Sequence, residues 1–293
     1  MTGHSSCEGC TSTTCSAKKQ MQNETDEQFL ARQEIKKNLC RIKNKILVMS
    51  GKGGVGKSSV AVNLAMKLAL EGKTTGLLDI DLHGPSIPTM FGMKDGKIDV
   101  NENSKLVPVT FGALKIMSVG FFLQDSDDAI IWRGPIKHGM IQQFFKDVDW
   151  GTLDYLVIDS PPGTGDELLS LINTVDDLTG AVLVTTPQEV AAADVRKSVN
   201  FCEKAHIKIL GIVENMSGFV CPHCGKVTEI FKTGAGKQIA EKFNLKLLGK
   251  IPLDPAVGES GDCGVPIVYA HSEGATAKEF GSVTRQIEDI CEL

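Results

Sequence analysis

The sequence predicts an α/β protein built on a mostly parallel sheet flanked by helices. Two observations carry that prediction. Short apolar, β-branched runs alternate with helical patterns along most of the chain, and strands covered on both faces read as continuous apolar runs of this kind. A glycine-rich GxxxxGK[ST] segment, Gly51 to Ser58, directly follows one such run and opens a helix.

In chain order, residues 1–24 are polar, small and dotted with cysteines, and read as a flexible arm. Thr25 and Gln28 have capping-box spacing. Phe29, Ile35, Leu39 and Ile42 then fall near one helical face, predicting a helix over 26–42 within an N-terminal helix and linker at 25–44. Ile46 to Met49 is a buried strand, 57–70 a helix and Thr75 to Asp79 the next strand. The runs 106–109 and 114–119, split by a glycine-containing turn, predict a hairpin, and 135–146 a helix. Strands follow at 155–159, 181–185 and 209–214, with helices at 165–174 and 188–204 between them. A strand at 245–251 and a closing helix at 273–291 complete the pattern. With no internal repeat and no low-complexity linker, 45–293 reads as one domain.

Composition narrows the function. Apolar residues make up 42% of the 293, enough for a full core, whereas aromatics are only 5% and the net charge is −5. Few stacking rings and an acidic balance exclude a general nucleic-acid binder. No run approaches the roughly 18 apolar residues of a membrane span, and the N-terminus lacks the basic-then-apolar order of a secretory leader. The expectation is a cytoplasmic protein with no membrane partner. Nine cysteines among reduced thiols then point to metal or redox chemistry rather than disulfides.

The segment Gly51, Lys52, Gly53, Gly54, Val55, Gly56, Lys57, Ser58 is suited to hold phosphate. Its glycines let successive amides point at phosphate oxygens, and the helix N-terminus adds favourable dipole charge. Lys57 is placed to meet the β- and γ-phosphates and Ser58 to ligate Mg²⁺, with Ser59 beside them as a further nucleotide contact. Asp159 ends the apolar run Tyr155 to Ile158, the Walker B arrangement that delivers an acid to the metal. Ser160-Pro161-Pro162-Gly163 follows, a rigid turn whose Gly163 amide is a candidate γ-phosphate sensor. Asp79 and Asp81 end another strand, and one of them is expected to orient or deprotonate the attacking water.

Cys221-Pro222-His223-Cys224 puts two thiols at metal-ligand spacing in a loop flanked by glycines. A stable thiolate site generally takes four ligands. The others come either from this chain or, through a twofold axis, from Cys221 and Cys224 of a second copy. An iron–sulfur cluster, a zinc knuckle and a redox dithiol all use this spacing. The dithiol is disfavoured because no clear helix follows to stabilise a thiolate, and His223 reads as a solvated loop residue. Cys7, Cys10 and Cys15 form a second group, with Cys40 the nearest candidate fourth ligand for a further cluster. Cys202, Cys263 and Cys291 read as packing residues.

The second lysine of the loop, Lys52, makes GKGGVGKS a deviant Walker A. With LLDIDLHGPSIP (77–88) and VIDSPPGTGDE (157–167), the chain resembles the MinD/ParA/nitrogenase-iron-protein group of P-loop ATPases. Within that group it is most similar to the Mrp/Nbp family of ATP-binding iron–sulfur cluster scaffolds and carriers, through IIWRGPIKHGMIQQF (131–145), ENMSGFVCPHCG (214–225) and IPLDPAV (251–257). The resemblance covers about 45–293. It implies ATP and Mg²⁺ as ligands, a homodimer, and a [4Fe–4S] cluster held across that dimer by Cys221 and Cys224 for delivery to apo iron–sulfur proteins. It gives Lys52 a role across the interface on the partner's nucleotide, and Asp81 the water-activating role. Asp79 and Asp159 would support the Mg²⁺ shell. Asn215 would read adenine, an edge whose donor and acceptor an amide can match, with the Pro252–Asp254 loop closing over the base. The arm departs from the spacing of the family's N-terminal four-cysteine cluster. A positioning or partitioning switch is the alternative, but such proteins carry a basic C-terminal helix, whereas residues 285–293 are net acidic. An electron-transfer role ranks last, since the nitrogenase iron protein spaces its cluster cysteines far apart.

Overall fold

The computed structural model describes residues 20, 24–82, 84–94, 96–122, 134–221, 224, 226–231 and 234–292. The arm with Cys7, Cys10 and Cys15 lies outside them, as do His223 and residues 131–133.

Helix α1 (Asp26–Leu39) starts on the capping box: Thr25 accepts from the Gln28 amide while the Gln28 side chain accepts from Thr25. It stops short of the expected residue 42. Cys40 caps it, and Ile42 already belongs to β1 (Ile42–Ser50). The expected division at residue 44 thus falls inside a central strand. Next come α2 (Lys57–Leu70), β2 (Thr75–Asp79) and the short α3 (Ile87–Met90). The expected hairpin at 106–119 splits in two. β3 (Asp99–Val100) pairs with β4 (Leu106–Val107) as a separate ribbon, and only β5 (Val109–Phe111) folds back on β6 (Leu114–Ser118).

The chain continues through α4 (Gly134–Lys146), β7 (Leu153–Asp159), α5 (Asp166–Thr174), β8 (Gly180–Thr185), α6 (Glu189–Lys204) and β9 (Ile209–Glu214). A small antiparallel ribbon, β10 (Phe219–Val220) with β11 (Val227–Thr228), carries the CxxC loop. Then follow α7 (Ala235–Lys242), β12 (Leu247–Lys250), shorter than expected, α8 (Pro255–Asp262), α9 (Ile267–Ala270) and α10 (Ala275–Glu292).

Among the described residues the main sheet has eight strands in the order β12-β9-β8-β1-β7-β2-β6-β5. Every described pairing in it is parallel except β5 on β6. Alternate residues of each strand feed two cores, because successive side chains point to opposite faces. Leu47, Met49 and Ile158 pack with α1, α4, α5 and α6, whereas Ile46, Val48 and Val157 pack with α2 and α10. The chain crosses over β1 between β7 and β8, so the carboxyl ends of β1, β7 and β8 open at a topological switch point, where open α/β sheets place their ligands. Among the described residues no helix is long and apolar enough to cross a membrane.

Candidate functional site

The phosphate loop leaves β1 at Ser50 and enters α2 at Lys57. Gly56 is the N-cap of α2, with φ 78 in the left-handed region. A Cβ there would lie 2.2 Å from the Asn215 amide nitrogen, so both conformation and crowding require glycine. A Cβ on Gly51 would fall 2.4 Å from backbone atoms of Asp194, which seats the start of the loop on α6.

Parallel pairing then brings the acids under the loop. Val48 of β1 is opposite Asp159 of β7, and Asp79 of β2 is opposite the same Asp159. Lys57 is buried and its Nζ donates to Asp159 Oδ1 at 2.6 Å. The same ammonium lies 3.8 Å from Asp81 Oδ2 and 3.4 Å from Ser58 Oγ. Asp159 Oδ2 is buried without a hydrogen-bond partner. Asp79 is fully buried; one oxygen accepts from Ser118 Oγ at 2.8 Å and the other from the Asp81 amide at 3.0 Å. Asp79 therefore aims Asp81 rather than offering a free oxygen of its own. Burial, and then the negative charge of Asp159, push the Asp79 carboxyl up to about 7. Burial also raises Asp159, and the Lys57 ammonium opposes that rise.

The other predicted contacts are placed more loosely. Lys52 and Ser59 are half-buried, and Gly53 and Gly54 are exposed at the crest of the loop. The Gly163 amide donates to the Ser50 carbonyl at 2.9 Å, so sensing a phosphate would require that bond to open. Asn215 Nδ2 donates to the Val55 carbonyl at 2.9 Å, tying the predicted base-reading amide to the phosphate loop. Pro252 is half-buried on the 251–254 segment, while the Asp254 carboxylate caps α8 through the Ala256 amide and accepts from Thr276 Oγ1 at 2.6 Å. Asp254 is thus committed to holding its loop. Two polar residues absent from the sequence reading matter here. Ser118 fixes Asp79, and Glu214 is buried at the end of β9.

Cys221 and Cys224 sit on the ribbon that follows β9. The Cys221 amide donates to the Lys226 carbonyl at 3.0 Å, just beyond the paired residues of β10 and β11. Cys221 is half-buried and Cys224 exposed. Cys40, at the end of α1, is half-buried. Of the expected packing cysteines, Cys202 is buried against Met49, and burial pushes its thiol up to about 12. Cys291 is half-buried, but Cys263 is exposed, because it caps α8 at the surface. Among the described residues no three metal-ligating His, Cys, Asp or Glu side chains converge. A separate cleft of about 560 Å³ between α4 and α5 is lined by the Lys137–Glu167 ion pair and lacks the amide-rich loop that phosphate requires.

The sequence profile of the ParA family, described as NUBPL iron-transfer P-loop NTPases, matches residues 41–288. The chain belongs to this family. An iron–sulfur cluster carrier protein from Methanocaldococcus jannaschii is 46% identical over 91% of this NTPase and 92% of the relative. A protein named cytosolic Fe-S cluster assembly factor CFD1, from Kluyveromyces lactis, is 52% identical over 76% of this chain and 81% of its own. Among solved structures, a nucleotide-binding protein from Archaeoglobus fulgidus in complex with ADP superposes with a TM-score of 0.74 at 40% identity, over 85% of this chain and 96% of that one. The cell-division ATPase MinD of Pyrococcus furiosus, at 24% identity and a TM-score of 0.65, shares the fold. The resemblance drawn from the motifs thus holds for both family and fold.

Proposed function

We propose that this P-loop NTPase binds and hydrolyses ATP to control how an iron–sulfur cluster is held and handed on to apo-proteins. The cluster is cargo, a [4Fe–4S] unit gripped by Cys221 and Cys224 of two copies of the chain. One observation carries the reading. Asn215, bonded to the phosphate loop, is only a short connection away from Cys221 on the same strand end, so nucleotide and cargo share one mechanical element. The carrier and assembly-factor names of well-covered relatives support the cargo.

The residues present suit a magnesium–nucleotide complex. Asp159 Oδ2 is a buried carboxylate oxygen lacking a partner, and with Ser58 it would hold Mg²⁺, which prefers oxygen donors; Asp81, a third candidate ligand by sequence, is assigned to the water instead. The ion supplies neutralisation of phosphate charge. The rest of the chemistry belongs to the chain. Loop amides from Gly51 to Ser59 cradle the phosphates, and Lys57, released from Asp159, meets the β/γ-oxygens. Asp81, held by Asp79, accepts a proton from the attacking water as the γ-phosphoryl group leaves the β–γ bridging oxygen. Lys52 reaches the partner's nucleotide, Gly163 exchanges Ser50 for the γ-phosphate, and Asn215 with the 252–254 loop borders the base. On the same proposal, Cys7, Cys10 and Cys15 of the 1–24 arm, with Cys40, are the candidate ligands of a second cluster.

The deciding experiment measures iron, sulfide and zinc in anaerobically purified protein beside the Cys221→Ala, Cys224→Ala double variant. Iron and sulfide near four per dimer, lost in the variant, are expected. Colourless protein with stoichiometric zinc would remove the carrier reading and leave a zinc-binding NTPase.

A further inference from the structure

Glu214 is fully buried at the carboxyl end of β9, and nothing in the nucleotide chemistry above uses it. Its two oxygens reach different segments. Oε1 accepts from Ser217 Oγ at 2.7 Å, and Oε2 accepts from the Gly236 amide at 2.8 Å, in the first turn of α7. The α7 N-terminus has orphan amides and a positive dipole end, which suits a carboxylate. Lys250 Nζ, from neighbouring β12, lies 3.7 Å from Oε1. Ser217 precedes the excursion that carries Cys221 and Cys224, and Gly236 follows it. One buried carboxylate therefore closes the base of the whole cysteine segment. The fit is tight, because a Cβ on Gly236 would lie 2.8 Å from Oε2.

The adjoining residue connects to the other ligand. Asn215 holds the Val55 carbonyl of the phosphate loop at 2.9 Å. Just beyond it, the Ser217 amide donates to Ile251 and the Leu253 amide to Gly218, both at 2.8 Å. Between these anchors Met216 takes a left-handed φ of 57, a conformation uncommon for a non-glycine residue and held here by its neighbours' bonds.

We propose that Glu214 is a positioning residue that couples the phosphate loop to the cysteine ribbon, by fastening both ends of that segment to the strand whose next residue grips the loop. A displacement of Val55 on nucleotide binding passes through Asn215 to Glu214, and from its two oxygens to both limbs of the ribbon. Without the carboxylate the upstream limb stays stitched to residues 251–253, while the downstream limb at α7 moves independently. The proposal rests on the carrier reading for what the cysteines hold, but the coupling is a property of the unloaded chain.

The test uses the full-length apo chain under anaerobic, reducing conditions. Alkylation of Cys221 and Cys224 by iodoacetamide is followed peptide by peptide by mass spectrometry, with and without a non-hydrolysable ATP analogue and Mg²⁺. In the parent protein nucleotide is expected to change these rates by about fivefold or more. Glu214→Ala is expected to bring that ratio to about one and Ser217→Ala, which cuts one of the carboxylate's two fastenings, to lower it about twofold, while nucleotide Kd stays within about twofold. Glu214→Gln keeps an acceptor for Gly236 and a donor for Ser217, and is expected to retain the ratio. Should Glu214→Ala fail to fold, Ser217→Ala decides, since it leaves the carboxylate and its bond to α7 in place. A ratio that survives both truncations overturns the proposal, as do parent thiols indifferent to nucleotide. Protein that loads no iron but whose thiols still answer to nucleotide removes the carrier reading and leaves the coupling standing.

Discussion

Lys57 meets two acids with one ammonium group, and the two distances separate their roles. At 2.6 Å, Asp159 accepts a hydrogen bond from the lysine, whereas Asp81 pairs with it by charge at 3.8 Å. Asp81→Asn keeps the shape and removes the base. It is expected to lower the hydrolysis rate by about a hundredfold with little change in nucleotide Kd, read by single-turnover kinetics beside calorimetry. Away from the site, Asp154 offers a test of acid stability. Its Oδ2 accepts from both the Thr74 amide and hydroxyl, at 2.9 and 2.6 Å. The Thr74 hydroxyl first, and its amide against the opposing effect of burial, hold the carboxyl below the ordinary 3.8. Because the folded value is depressed, this contribution is present above the unfolded value and is lost as pH falls below about 4. Asp154→Asn should therefore be less stable than the parent by about 1 kcal/mol at pH 7. In denaturant titrations the gap should narrow as pH falls below the ordinary carboxylate range; a gap constant across pH would contradict the assignment.

At the scale of elements, two local devices set where helices begin. The Thr25–Gln28 box starts α1, and Thr25→Ala is expected to cost about 1 kcal/mol, read as a lower urea midpoint. Gly56→Ala is expected to act more sharply. It forces a β-carbon into the left-handed region, at about 1–2 kcal/mol, and into the Asn215 amide. Nucleotide affinity should fall with it, by calorimetry, more than the urea midpoint does. The capping box was legible because its signal lies within four residues. The end of α1 was not: Ile42 continues the helical period, yet β1 claims it by pairing with Leu153 of β7, far along the chain. α8 escaped for the opposite reason. Its Gly- and Ser-containing sequence has no apolar period, and it forms because Pro255 opens it and Asp254 caps it. Likewise α7 is a single short helix started by Gly234 at φ 91, too brief for periodicity to declare.

For the whole molecule, the proposal needs two copies of the chain, because one CxxC supplies only half of a four-thiolate set. Sedimentation with ATP and Mg²⁺ is expected to find a dimer whose population rises with nucleotide and with iron content. A strictly monomeric, iron-free protein under those conditions would end the carrier reading and leave the nucleotide site intact.

By itself the sequence determined the phosphate loop, the alternation that makes a mostly parallel sheet, and the CxxC pair, since each is written in a few neighbouring residues. Tertiary structure decided which charges meet: Lys57 with Asp159 across 102 positions, Asp79 with Ser118, and Glu214 with both ends of the cysteine ribbon. These contacts depend on strand order and register. Register is fixed by the packing of whole faces, so no local stretch of sequence spells it out.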